Sequence, residues 1–472
     1  MKDLFSTDLN VVNVGLASFA ANIGRVGGAY TDLRWQPPAL ADIETGLDLA
    51  RLTGHPAVEA ANAEAHRRYI SAQPVLTGVA LARTVIPGLT ERRILHAGPP
   101  IEWHDMCGPV KGAIAGAILY EGWADDLESA EALARDGSVA LEPCHQHGAV
   151  GPMAGIISPS MPVFVVRNSA GENTAYSNFN EGLGKVLRFG ANGPAVLDRL
   201  RWLGTEFFSS LSAGLAQLGD LDLKPLIAQA LHMGDECHNR NVAATGLLLK
   251  RLVPALLAAD LDGAALRRSV DFIAGNDHFF LNLSMAACKA MLDSARDIPN
   301  SSMCVAMARN GVNFGIQVSG TGDRWFQAPA NRVEGLFFPG YGIDDAAADL
   351  GDSAITETAG IGGFAMAAAP AIVQFVGGTA ADATENSRRM QAITIGRNPA
   401  FTLPALNFGA TAGGIDVRKV ADTGILPVIN TGIAHRAAGV GQIGAGLTTA
   451  PALCFNQAVE ALASDVIEAV AA

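Results

Sequence analysis

Apolar residues along the first third of the chain come in short runs whose period changes from one run to the next. "NVVNVGLASFAANI" (10–23) reads as a β-strand, a glycine turn and a helix start, and "GAYTDLRWQPPA" (28–39) as a second strand closed by a double proline. Residues 42–72 carry Ile43, Leu47, Ala50 and Leu52 at helical spacing, with Pro56 interrupting the run. "PVLTGVALARTVIPGL" (74–89) is rich in small and β-branched residues, and "RRILHAGPPIEW" (92–103) is a short strand entering a loop. Two helical runs fill 109–135, and strands and turns fill 139–168.

From about 180 to 296 the period becomes helical, through "PAVLDRLRWLGTEFFSSLSAGLAQLG" to "FFLNLSMAACKAMLDSAR". Beyond 301, "CVAMARNGVNFGIQVSG" and "RWFQAPANRVEGLFFPGY" read as strands again, and a glycine-rich tail closes in a terminal helix. The pattern predicts an α/β (α+β) protein in which two mixed α/β portions flank a small helical domain. The expected division is 1–175, 176–298 and 299–472.

Composition narrows the class. With 49% hydrophobic and 17% charged residues and 52 glycines, the chain buries much backbone and is not disordered. Net charge is −13 and pI about 5.2, so the basic field of a nucleic-acid reader is absent. "MKDLFSTDLN" has no apolar leader core, and six scattered cysteines form no CxxC pair, so reduced thiols in the cytoplasm are expected. Three uncharged stretches (143–166, 358–381 and 437–459) are broken by proline, glycine and polar residues, and are expected to be buried core rather than membrane spans.

Four polar clusters stand out. In "MGDECHNRNVAATGLLLKRL" (233–252), a single helix would set Asp235 beside His238 and Asn239, His238 beside Asn241, and Glu236 one turn before Arg240. Its first turn is either a solvated face complementing the helix dipole or the lip of a ligand pocket. In "EPCHQHGAVGPM" (142–153), His145 and His147 would share one face of a strand; ordinary hydrogen-bonded histidines, a metal pair and a metal-free substrate site all fit that spacing, and no metal is expected. In "HAGPPIEWHDMCGPVKGA" (96–113), Pro109 opens a helix whose first N–H groups, with Lys111, could cradle an anion, although a plain tight turn fits as well. The amide-rich stretches 167–185, 275–282 and 308–325 fall where pockets form, with Asn313 among the neutral donors and Arg309 and Arg324 able to grip a carboxylate. No GxSxG, HExxH or kinase signature is present.

Taken together, "NVVNVGLASFA", "WQPPA", "AGPPIEWHDMCGPVKGA", "CHQHGAVGPMAGI", "NEGLGKVLRFGA", "MGDECHNRN" and "QVSGTGDRWF" resemble the YlbE/YahG-like family. This family was long filed as a domain of unknown function, and one branch is the AllG subunit of oxamate carbamoyltransferase. The resemblance spans nearly the whole chain. It implies two α/β portions around a helical domain and a multisubunit complex with an FdrA-like, CoA-ligase-like partner; a homo-oligomer is expected besides. In the oxamate branch that complex interconverts oxalurate plus phosphate with oxamate plus carbamoyl phosphate, in allantoin breakdown.

Such chemistry needs oxyanion donors, a carboxylate clamp and modest proton handling, with no cofactor. Lys111, Arg240, Arg309 and Arg324 are the candidate clamps for a small anionic amide or carbamoyl substrate; Asn239, Asn241 and Asn313 could hold its amide, and His238 or His145 could move protons. The alternative is a non-catalytic scaffold or ligand-sensing subunit of the same complex.

Overall fold

The runs of apolar positions become elements of a mixed α/β fold in a computed structural model, which describes residues 10–14, 16–33, 42–89 and 92–471. The strands are β1 (Asn10–Val14), β2 (Ala29–Leu33), β3 (Pro74–Leu81), β4 (Arg93–His96), β5 (Ala140–Pro143), β6 (Ala149–Val150), β7 (Pro162–Asn168), β8 (Thr174–Asn178) and β9 (Leu221–Asp222). After the helical stretch come β10 (Cys304–Asn310), β11 (Asn313–Val318), β12 (Phe326–Pro329), β13 (Glu334–Phe337), β14 (Leu350–Gly351), β15 (Thr394–Leu403), β16 (Gly409–Ile415), β17 (Val428–Ala434) and β18 (Gln442–Thr449).

They build several small sheets with mixed strand directions. β6-β8-β7-β3-β9 form one sheet, β12-β11-β10-β14 a second and β13-β18-β17 a third, while β1-β2, β4-β5 and β15-β16 pair separately. The β1–β2 and β4–β5 pairs are parallel, and β10–β11 and β17–β18 antiparallel.

The helix Leu281–Asp293 is the central post. Residues 281–292 are all buried, and the helix packs against β3, β7, β8 and β10. Such a helix has no polar face to give to water, and the polar side chains within 281–292, Asn282, Ser284 and Lys289, each find an internal partner, for Lys289 the Asp293 carboxylate at the helix end. Burying each large side chain along it contributes about 1.5–3 kcal/mol.

Several expectations hold at the level of single elements. Pro56 does interrupt the 42–72 run: Ile43–Leu52 and Pro56–Ser71 are separate helices, with Pro56 in the first turn, where its missing N–H costs nothing. Six helices of nine or more residues fill 194–293, as the helical period requires. The three uncharged stretches are largely buried, and no described helix is long and apolar enough to cross a membrane. The double proline of the second strand's expected stop lies outside the described residues.

Two local expectations are corrected. Residues 233–252 are not one helix: the helix begins at Val242, and 233–241 is a loop. Segment 144–147 is a 3-10 turn ending at left-handed Gly148, so His145 and His147 do not share a strand face. His145 is buried, while His147 reaches out to Pro87 C=O (2.8 Å) and Glu142 (2.6 Å).

Candidate functional site

The helix Leu223–His232 ends just before Gly234 (φ +97°) and Cys237 (φ +62°), which turn the backbone through left-handed conformations. Glycine does this freely; for cysteine it costs about 1–2 kcal/mol, which neighbouring contacts must offset. Cys237 N–H donates to Arg240 C=O (3.0 Å), Ser284 Oγ to Cys237 C=O (2.9 Å) and Asn241 Nδ2 to His238 C=O (2.7 Å). Both acids turn inward to accept backbone N–H groups. Asp235 Oδ2 accepts from Ala244 at the start of the next helix (2.8 Å), and Glu236 accepts from His238 (2.8 Å) and Arg240. The polar run therefore ties a buried loop together, which a helical first turn on the surface could not do.

This loop forms one wall of a cleft of about 430 Å³. Asn239, Arg240 and Asn241 meet Asp277, His278, Gln374 and Gln442 there, and Leu336, Phe337, Phe338, Ile372 and Phe375 supply an apolar wall. Arg240 Nε donates to Gly234 C=O (3.0 Å) and stands 3.5 Å from Asp235 Oδ1, too far for a good hydrogen bond. Its side chain is 31% exposed, and its two terminal nitrogens make no hydrogen bond among the described residues.

Two buried amides are incompletely paired. Asn241 is 1% exposed and its Oδ1 has no hydrogen-bond partner among the described residues; Asn239 Nδ2 donates to Asn430 Oδ1 (3.0 Å), while Asn430 Nδ2 has none among them. Leaving such an atom unsatisfied costs about 1–3 kcal/mol, which a ligand's amide or carboxylate would relieve.

His278 is a cleft residue that sequence reasoning missed. Its Nε2 lies 3.1 Å from Asn239 C=O, and burial, reinforced by the Arg188 charge, lowers its pKa to about 4. The ring is therefore neutral at pH 7, donates from Nε2, and keeps Nδ1 as the basic nitrogen. It sits in the quoted stretch "GNDHFFLN", but nothing in that stretch separates a cleft histidine from a turn histidine.

Behind the loop, His238 Nδ1 lies 2.8 and 3.0 Å from the two Glu357 carboxylate oxygens, with both side chains buried. Burial alone would raise the Glu357 carboxyl; the His238 charge and the Gly363 N–H outweigh it and hold the pKa below its ordinary value. Glu236 has the opposite fate. Burial and the adjacent Glu357 charge push it well above the carboxylate range.

A second buried network lies deeper. Arg309, fully buried, grips both oxygens of Asp349 (2.7 and 3.0 Å) and donates to Gly351 C=O (2.7 Å), Ser353 Oγ (3.3 Å) and Thr431 Oγ1 (3.2 Å). Asp352 accepts from Gly98 N–H (2.7 Å) and Gly151 N–H (3.0 Å), and burial raises it to about 7 against those bonds. Its Oδ1 is 3.6 Å from His145 Nε2, beyond hydrogen-bond reach, and among the described residues neither His145 ring nitrogen has a hydrogen-bond partner. Burial, with the Lys289 and Arg296 charges, holds His145 well below the ordinary imidazole pKa. Among the described residues, no three His, Cys, Asp or Glu side chains gather as a metal-ligand set.

The networks join. Thr356 Oγ1 is within hydrogen-bond distance of Ser353 C=O (2.7 Å) and Glu357 Oε2 (3.0 Å), and adjacent Asn430 and Thr431 of β17 reach Glu357 and Arg309 respectively.

Of the nine residues singled out from sequence, the structure brings Asn239, Arg240 and Asn241 to the cleft. His238 backs their loop. The others do not converge there, for a clear reason in most cases. Arg309 is spent on Asp349, Arg324 pairs with Asp465 at the surface, and Lys111 Nζ donates to His104 C=O (3.0 Å). Asn313 lies at the start of β11, its backbone N–H donating to Asn310 Oδ1 (2.7 Å), and His145 lies in the deeper network. The amide-rich stretches mostly satisfy one another: Asn282 Nδ2 donates to Asn178 C=O (2.6 Å), Asn180 Nδ2 to Asn282 Oδ1 (2.8 Å) and Asn276 Nδ2 to Asn180 C=O (3.0 Å).

A larger hollow of about 720 Å³ lies between Arg332, Glu334, Asp382 and Asn386. Asp382 is taken up in capping a helix, Arg332 donates to Ile343 C=O (3.4 Å), and none of the buried unpaired polar atoms among the described residues lines it. The smaller cleft is the better candidate.

Comparison with known proteins gives this arrangement a context. The family model for oxamate carbamoyltransferase subunit AllG matches residues 139–353, which include the 235–241 loop and most of the deeper network. The uncharacterized protein YahG of Escherichia coli K12 is 46% identical over 461 residues, 97% of this chain and 98% of that protein. Oxamate carbamoyltransferase subunit AllG of the same strain is 48% identical over 412 residues, 87% of this chain and 98% of that one. A crystal structure of a conserved protein of unknown function from Enterococcus faecalis V583 superposes with a TM-score of 0.86 at 49% identity, covering 87% of this chain and 98% of that one. With this identity over most of both chains, the protein belongs to the family of YahG and AllG.

Proposed function

We propose that this chain is a subunit of an oxamate carbamoyltransferase-like assembly, and that the Arg240 cleft binds its anionic amide or carbamoyl substrate. The family match and the 48% identity to a protein named as such a subunit support the assembly. One observation carries the site: an incompletely used guanidinium, a buried unpartnered amide oxygen and a neutral imidazole line one cleft.

In this reading Arg240 pairs with the substrate carboxylate, while Asn239 and Asn241 face the carbamoyl or amide group. A phosphate oxygen attacks the carbamoyl carbon of an oxalurate-like ureide, the carbon–nitrogen bond breaks, and the departing amide nitrogen takes the proton that the attacking phosphate gives up. Nδ1 of His278 is the available proton acceptor for the reverse direction. His238, held by Glu357, positions the loop from behind. Arg240 is the one lysine or arginine among the described residues lining the cleft. A second anion, phosphate, then takes its counter-charge from another chain, and the FdrA-like partner is our candidate.

Calorimetry of the full chain with oxamate, oxalurate and phosphate, followed by assay of the reconstituted assembly, tests this. Arg240→Ala is expected to cut carbamoyl phosphate formation at least tenfold with unchanged thermal unfolding. Unaltered activity would remove the cleft from the reaction.

A further inference from the structure

The cleft is larger and more apolar than a bare amide acid requires. Its charged and ring groups gather where the 235–241 loop meets Asp277 and His278, and the remaining wall is mainly hydrocarbon, Leu336, Phe337, Phe338, Ile372 and Phe375, with the Gln374 and Gln442 amides beside it. Leu336, Phe338 and Phe375 are 49%, 44% and 49% exposed, so they are wetted apolar area that an occupant would cover. Oxamate, with only a few heavy atoms, would fill the polar end and leave this wall wet. Cavities of roughly 300–1,000 Å³ with mainly apolar linings and a few placed polar groups are the usual dimensions of sites for larger organic ligands.

We infer that the ligand of this cleft is a carboxylate-bearing amide or ureide with an apolar substituent about the size of a benzyl or isobutyl group. The carboxylate pairs with Arg240, an N–H of the amide or ureide donates to the buried, unpartnered Asn241 Oδ1, and the substituent lies against Phe338 and Phe375. The inference rests on the reading of this cleft as the substrate site and adds the substrate class.

A matched pair of probes tests it: N-carbamoyl-L-phenylalanine and N-carbamoylglycine share the ureido carboxylate and differ by the benzyl group. Titrated into the full chain by calorimetry, the phenylalanine derivative is expected to bind about tenfold tighter or more. The Phe338→Ala/Phe375→Ala double variant, altered only at exposed positions, should abolish that difference and leave N-carbamoylglycine binding unchanged, while Arg240→Ala weakens both. Equal affinities, or a preference that survives in the double variant, overturn the inference. If N-carbamoylglycine and oxalurate bind but the benzyl group adds nothing, the inference alone falls; if none of the three binds, the reading of the cleft falls with it.

Discussion

His238 Nδ1 stands 2.8 Å from Glu357 Oε1, across 119 residues of sequence, with neither side chain open to solvent. Removing the carboxylate leaves the His238 ring nitrogen and the Gly363 and Asn430 N–H groups buried without their acceptor, at about 1–3 kcal/mol for each group, or about 3 kcal/mol or more in all. Glu357→Ala should therefore lose about that much stability in urea unfolding. Arg324→Ala, which breaks a half-exposed surface pair with Asp465, should lose no more than about 1 kcal/mol. Equal losses would mean that burial does not govern the first pair.

Asp352 offers a pH signature. Its carboxyl titrates at about 7 in the fold and at 3.8 when free. The folded state thus binds the proton more tightly, so this group's contribution is complete below pH 4 and drains away as pH rises to about 7. A tenfold change in proton affinity corresponds to about 1.4 kcal/mol. The difference in unfolding free energy between wild type and Asp352→Asn should slope through this window and flatten above it.

His278 runs the other way. With its pKa lowered to about 4 from 6.5, protonation favours the unfolded chain. Its contribution stays intact above pH 6.5 and is lost as pH falls toward 4. Titration of its ring resonances by NMR should show a midpoint near 4, and a midpoint at 6.5 would place the ring in solvent.

Gly98 supports the floor of the deeper network. Its φ is +87°, and a Cβ there would lie 2.5 Å from the Arg309 carbonyl carbon and from Asn310 N. Gly98→Ala combines backbone strain with a clash against rigid backbone, so a loss of more than about 2 kcal/mol is expected, measured as a fall in thermal midpoint. Gly54→Ala, also at positive φ (+70°) but in open space, should cost less.

How legible was this molecule? The helix break at Pro56 and the presence of a helix within 279–296 could be read directly, because a local rule governs each. The 233–241 loop could not. Its helix-like spacing was overridden by Gly234 and by carboxylates that turn inward to backbone N–H groups, and spacing does not reveal which way a side chain points. Arg309 looked like a free clamp because its partner, Asp349, is forty residues downstream on another strand's approach. Glu357 sits in "ITETAGIGG", which has no unusual composition, yet it anchors the histidine behind the cleft. Residue type marked where chemistry gathers, and only tertiary pairing decided which groups remain available.

The short stretch from Asp349 to Glu357 carries the carboxylates that answer Arg309 and His238. During synthesis His238 and the central helix are made more than fifty residues before any of these acids. Until then the interior lacks the groups that make burying those side chains tolerable, so a nascent chain must wait, loosely collapsed, for its later third. These partnerships thus close late in chain elongation, and the interval before them is when the growing chain is most open to misassociation.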